Sequence, residues 1–212
     1  MKTLEPKNYN FSNVRYFSPI QLSEHYNLYT KYVKTLNEVN SDLKNDEIYS
    51  DCNSNYSNIR SAQKSKTFCY DSIKLHELYF ENLTGNNNRI HGNIEKIINE
   101  TFGSYTSFKD KFKCIGLSMR GWVLFCYDRY NKDYYIYGQD SHDDGVMLYA
   151  EPLIVMDVYE HAYMIDFGTN RGVYIDAFFQ NLDFKAVNDR LNKIIKWILK
   201  PKLTLGLQSV LR

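Results

Sequence analysis

The run Pro152-Leu153-Ile154-Val155-Met156 is apolar throughout, and it ends on an acidic residue, Asp157, with His161 four positions further on. An apolar run of this length predicts a buried strand that delivers Asp157 at its end. A turn after it lets His161 face the same point, and a carboxylate beside an imidazole is a metal-ligating pair. A chain carrying this stretch has to build a sheet with a polar site at one edge.

The first part of the chain reads as helix. Ser18-Pro19-Ile20-Gln21 combines an N-cap serine, a proline at the first helical position and a glutamine placed for a capping box. Leu22, Tyr26, Tyr29, Val33 and Leu36 follow at intervals of three to four, which predicts one apolar face lasting to about Leu43. The polar stretch Lys44 to Ser61 reads as a loop, and a second helix is expected from about Gln63 to Leu83. Thr84-Gly85-Asn86-Asn87-Asn88 then marks a domain boundary.

Past that boundary, helices are expected at Ile94–Phe102 and Ser107–Met119, with Ser104 or Thr106 as cap. Strands are expected at Trp122–Tyr127, Tyr134–Tyr137 and Leu153–Val158, the first two forming an antiparallel hairpin. A last helix from Phe184 to Leu199 ends before Pro201. The fold class is therefore α+β: an N-terminal α-hairpin followed by an α/β domain with a three-stranded antiparallel sheet. The units run 1–17 (N-terminal extension), 18–84 (α-hairpin), 92–199 (α/β domain) and 200–212 (tail).

Composition excludes some classes of function. A formal net charge of +1 gives no general grip on nucleic acid, so RNA contact would have to be local; Lys193, Lys196, Lys200 and Lys202 offer charges for phosphates, although a charged outer helix face is the commoner explanation. Cys52, Cys69, Cys114 and Cys126 show no metal or disulfide spacing and read as reduced thiols. No apolar run approaches the roughly 20 residues that cross a bilayer, and Met1 to Asn10 has no secretory core. His91 and His142 lie in polar stretches and are expected to face solvent, and Asp143-Asp144 near Asp140 reads as a solvated turn.

Asp157-Val158-Tyr159-Glu160-His161-Ala162-Tyr163 closely resembles the Asp-x-Trp-Glu-His-Ala-Tyr signature of iron/manganese superoxide dismutases. His76-Glu77-Leu78-Tyr79-Phe80-Glu81-Asn82-Leu83 resembles that family's His-x-x-Phe-Trp-x-Asn-Leu, and Gly121-Trp122, Phe102-Gly103-Ser104 and Arg171 with Tyr174 match further anchors. The resemblance implies His76, Asp157 and His161 as ligands of iron or manganese. It also implies Tyr32 as a gateway tyrosine and Glu160 as a residue that crosses a dimer interface.

The family's first helix carries His-x-x-x-His-x-x-x-Tyr. Anchored on Tyr32-Val33, this chain offers Glu24 in place of the first ligand histidine and Leu28 in place of the second, with His25 one position out of register. A carboxylate there adds a charge worth roughly 4 kcal/mol at 4 Å and an effective dielectric of 20, which favours the oxidised metal and hinders turnover. The glutamine that the family sets beside metal-bound solvent corresponds to Ser72 or Ser118, neither of which can reach it. Leu124 and Tyr159 stand where the family has tryptophans.

The expectation is accordingly a degenerate dismutase-like protein, with iron or manganese as cofactor only if the altered site still binds metal. It would be a structural subunit of a large mitochondrial assembly, the small ribosomal subunit first and a respiratory complex second. It would pair as a homodimer or with a dismutase-like paralogue, and its apolar tail, Lys202 to Leu207, would dock on a neighbour. The alternative is an active iron/manganese superoxide dismutase with Glu24 as an unusual ligand.

Overall fold

A computed structural model describes residues 3–199. The first helix, α1 (Pro19–Asp42), starts where the capping motif places it, with the Ser18 hydroxyl accepting the Gln21 backbone N–H. Its buried face is Leu22, His25, Tyr29, Val33, Leu36 and Val39, an unbroken series of three- and four-residue steps. The second helix, α2 (Asn58–Asn82), begins five residues earlier than expected because Ser57 caps it by accepting from Arg60. The loop between them holds a short 3-10 turn, Asp46–Tyr49.

The segment before α1 lies along the hairpin. Asn37 exchanges two hydrogen bonds with the Leu4 backbone, and the Lys7 N–H donates to the Tyr29 hydroxyl. Further along, the Asn181 side chain does for Arg15 what Asn37 does for Leu4.

In the second half, α3 (Gly92–Phe102) stops at Gly103, whose φ of 82° is open to glycine and costly for other residues. Ser104 caps α4 (Tyr105–Ser118), so of the two candidate caps the structure uses the serine. The strands β1 (Trp122–Asp128), β2 (Asp133–Gln139) and β3 (Ala150–Asp157) form an antiparallel sheet in the order β2-β1-β3. Every residue of β1 is buried, because it is the central strand with α4 packed on it. Trp122 pairs with Gln139 on one side and Asp157 on the other, so the start of β1 and the ends of β2 and β3 meet at one edge of the sheet.

After β3 come a 3-10 turn (Glu160–Ala162), the single-turn α5 (Met164–Phe167), α6 (Arg171–Asn181) and α7 (Phe184–Leu199). The sequence reading missed α6. Tyr174, Ile175, Ala177, Phe178, Phe179 and Asn181 are all buried, so the segment lacks the apolar-polar contrast that announces a surface helix. The tail, residues 200–212, lies outside the described residues, and with it the expected contacts of Lys200, Lys202 and the leucines beyond.

Arg190 on α7 locks the layers together. Its guanidinium donates to the Leu78 and Leu153 carbonyls, to the Asn82 side chain and to Glu81, joining α2, β3 and α7 from a largely buried position. No other side chain offers this planar fork. Arg190→Ala should lower stability by about 3 kcal/mol, since two carbonyls and an amide lose their donors in the interior. Denaturant unfolding should show a lower midpoint at unchanged slope.

Candidate functional site

Where α1, α2 and the end of β3 converge, four side chains point at one another. Nε2 of His25 and Nε2 of His161 each lie 3.1 Å from the same oxygen, Asp157 Oδ2, and His76 Nε2 lies 3.6 Å from it. The four donor atoms all fall within 4.8 Å of each other. His25, His76 and Asp157 are buried, and His161 is partly open.

The first member of this group is His25, not Glu24. Glu24 is solvent-exposed, its carboxylate within reach of the Asn27 side chain on its own helix. The reason lies in helical geometry. His25 sits three residues after Leu22 and four before Tyr29, so it belongs to the buried stripe, and Glu24 is rotated away by about 100°. The expected register came from counting back eight residues from Tyr32. This helix places the tyrosine seven residues after its histidine, so that count lands one residue short. Four residues after His25 it is Tyr29 that is buried, with its hydroxyl donating to Glu77, while Leu28 is only partly covered.

Each remaining donor is oriented by a specific partner. The Nδ1 of His76 lies 2.7 Å from the Ser72 carbonyl, which can only accept, so Nδ1 carries the proton and Nε2 presents a bare lone pair. That Nε2 is buried and has no hydrogen-bond partner, and the Asp157 carboxylate oxygen lies 3.6 Å from it. A lone pair facing an anion inside a protein core is unfavourable unless a cation stands between them. The second Asp157 oxygen accepts the Tyr159 N–H, and the Asp157 carbonyl accepts the Tyr174 hydroxyl, so strand end and carboxylate are both held.

The protonation states agree with this. Burial keeps the His25 imidazole below its ordinary range against the opposing pull of Asp157. Burial, reinforced by His25, keeps His76 well below. For Asp157 burial works upward, yet His161 and His25 outweigh it and hold the carboxyl below its usual value. His161 is lowered by burial but raised more by Asp157, with a net upward displacement. Three imidazoles and one carboxylate, with a buried lone pair lacking any other partner, fit a transition-metal ion such as iron or manganese.

A second residue escaped the sequence reading. His142, expected in solvent, is 1% exposed and sits between Trp122 and Tyr32. The Trp122 indole N–H donates to His142 Nδ1 at 3.0 Å, and His142 Nε2 lies 3.2 Å from the Tyr32 hydroxyl. Burial lowers His142 to about 4, so it is neutral near pH 7. Since Nδ1 accepts, Nε2 carries the hydrogen and donates to Tyr32. The Tyr32 ring centroid is 5.7 Å from that of His76, and burial pushes the phenol up to about 12, so it keeps its proton.

Ser118, weighed above for a place beside the metal, is instead exposed and bonded to the Cys114 carbonyl. Ser72 is buried against His76. Of the other expectations, His91 is exposed as anticipated, and Glu160 is exposed beside His161. The only available signal for His142 was its position between β2 and β3, the two strands whose ends border the site.

Residues 90–190 match the family model described as "Iron/manganese superoxide dismutases, C-terminal domain". The chain is 35% identical over 199 residues to the "Superoxide dismutase [Fe]" of Aquifex pyrophilus, covering 91% of this chain and 93% of that one. It is 33% identical to the "Superoxide dismutase [Fe]" of Aquifex aeolicus over the same shares. It is 34% identical to the "Superoxide dismutase [Mn]" of Haloarcula marismortui, there over 57% of this chain and 60% of the other. With its sheet topology, its four converging donors and this degree of identity over nearly its whole length, the chain belongs to the iron/manganese superoxide dismutase family.

Proposed function

We propose that this protein is a working superoxide dismutase whose ion is held by His25, His76, Asp157 and His161. The observation that carries the reading is the unpartnered Nε2 of His76, buried and aimed at Asp157 Oδ2. Iron or manganese bound there supplies the change of oxidation state by which one superoxide is oxidised to oxygen and the next, with two protons, is reduced to hydrogen peroxide.

The chain's own residues account for access and for the proton. A cleft of about 430 Å³ is lined by Tyr32, Thr35, Lys64, Phe68, Cys69 and Asp143. Lys64 offers a positive charge to an incoming anion. Asp143 is tied up by the Thr67 and Ser141 hydroxyls. At the inner end Tyr32 accepts a hydrogen bond from neutral His142, which leaves its own O–H directed elsewhere. The phenol is thus a positioned proton donor near the ligands, and Trp122 fixes the histidine that orients it.

The reading as a degenerate structural subunit rested chiefly on a glutamate at the first ligand position. With Glu24 in solvent and His25 in the cluster, that support is gone, and with it the extra negative charge that opposed turnover. Two neutral imidazoles from the hairpin and the Asp157–His161 pair keep the donor set's formal charge at one negative.

Pairing of two copies belongs to the same reading. Glu160 is exposed next to His161, and Ile20, Met164 and Ile165 are exposed on the adjoining ends of α1 and α5. The Gln21 side chain ties those ends together by bonding the His161 carbonyl and the Ile165 N–H.

Metal analysis and superoxide-removal assays test the proposal. His25→Ala should lose bound iron or manganese and all activity, and Glu24→Ala should keep both. The reverse pattern, or a folded wild-type protein without metal or activity, would overturn it. Tyr32→Phe and His142→Ala should keep the metal and lose activity by on the order of 10- to 100-fold. Glu160→Ala should shift the oligomer toward monomer in sedimentation at micromolar concentration.

A further inference from the structure

Far from the metal ligands, one corner of the α/β domain exposes an unusual amount of apolar surface. Leu148 is 83% exposed, Tyr130 77%, Trp197 59% and Tyr149 58%. They are neighbours. Arg129 stacks on the Trp197 ring, 5.1 Å from its centroid, and its backbone N–H donates to the Tyr149 carbonyl. The Tyr130 and Tyr149 rings lie 5.9 Å apart. Tyr149 holds a φ of 65°, a left-handed conformation uncommon for an aromatic residue, and with it the side chain stands on the surface. Contiguous apolar surface of this kind marks a docking site.

We infer that the occupant is the chain's own C-terminal segment, Leu203 to Leu207, folded back over this corner. Three facts point to it. The described residues end at Leu199, two positions past Trp197 of the patch and four before Leu203. Residues 200–212 span up to roughly 40 Å at about 3.3 Å per residue, ample to cover groups that touch one another across 5 to 6 Å. Leu203, Leu205 and Leu207 alternate with Thr204 and Gly206, which in extended form places all three leucines on one face. Arg129, the cation stacked on Trp197, is itself paired with Glu151 at 2.9 Å, so its charge is compensated where the leucines would pack.

The two tryptophans make the test direct. Trp122 is fully buried, so the fluorescence that acrylamide can quench belongs to Trp197. Full-length wild type is compared with the full-length triple variant L203D/L205D/L207D, and with Leu148→Asp as a change on the receiving side. Circular dichroism and metal content confirm that each is folded, and sedimentation velocity reports the mass of each at the same concentrations. The expected result is a Trp197 protected in wild type at every concentration and quenched several-fold faster in both variants, with no change of mass. Equal quenching in wild type and triple variant would overturn the inference. So would protection that grows with concentration and mass in all three, which would assign the patch to a second copy.

Discussion

The structure depends on a single carboxylate oxygen. Asp157 Oδ2 is the point on which three imidazoles from three separate elements converge, and everything around it serves to keep it there. Pairing of β3 with β1 sets Asp157 opposite Trp122, Tyr174 holds its carbonyl, and the Tyr159 N–H holds its other oxygen. Without a cation the arrangement is costly, because a buried lone pair faces a buried anion. The fold maintains that arrangement with a rigid sheet edge and two long helices whose caps, stripes and interlayer bonds are otherwise those of an ordinary stable domain.

The two halves of the chain contribute different things to the site. The hairpin brings His25 and His76, which burial holds neutral and which therefore offer lone pairs. The α/β domain brings the charge, Asp157 with His161, and also the orienting chain from Trp122 through His142 to Tyr32. That chain crosses back onto α1, so Tyr32, which lines the cleft, and His142, which orients it, come from opposite halves. Chemistry at such a site is sensitive to the packing between the halves, and the fork of Arg190 joining α2, β3 and α7 is one of the contacts that hold it.

The architecture could be read from local pattern because its main elements are locally consistent. Ser18-Pro19 caps a real stripe, the apolar run before Asp157 is a real strand, and Gly103 ends a helix where it must. Helix α6 could not be read, since burial all round erases periodicity. The first member of the cluster was misplaced for a related reason. Counting from Tyr32 used a spacing borrowed from a motif, whereas the spacing of Leu22, His25, Tyr29 and Val33 is a property of this helix itself and puts His25 inside. A stripe drawn from apolar residues alone takes Tyr26 and passes over His25, but the side of a helix that a residue occupies follows from its position in the helix and not from its residue type.

Order along the chain was thus enough to determine the helical hairpin, the three-stranded sheet, and the identity of His76, Asp157 and His161 as a set. Those features rest on periodicity, capping and motif, all of which act over a few residues. Only the tertiary structure decided that His25 rather than Glu24 joins them, and that His142 leaves its polar loop to lie between Trp122 and Tyr32. It did so because both choices depend on which surfaces meet when α1, α2 and the sheet edge close on one another, and contacts between residues more than a hundred positions apart leave no local trace in sequence.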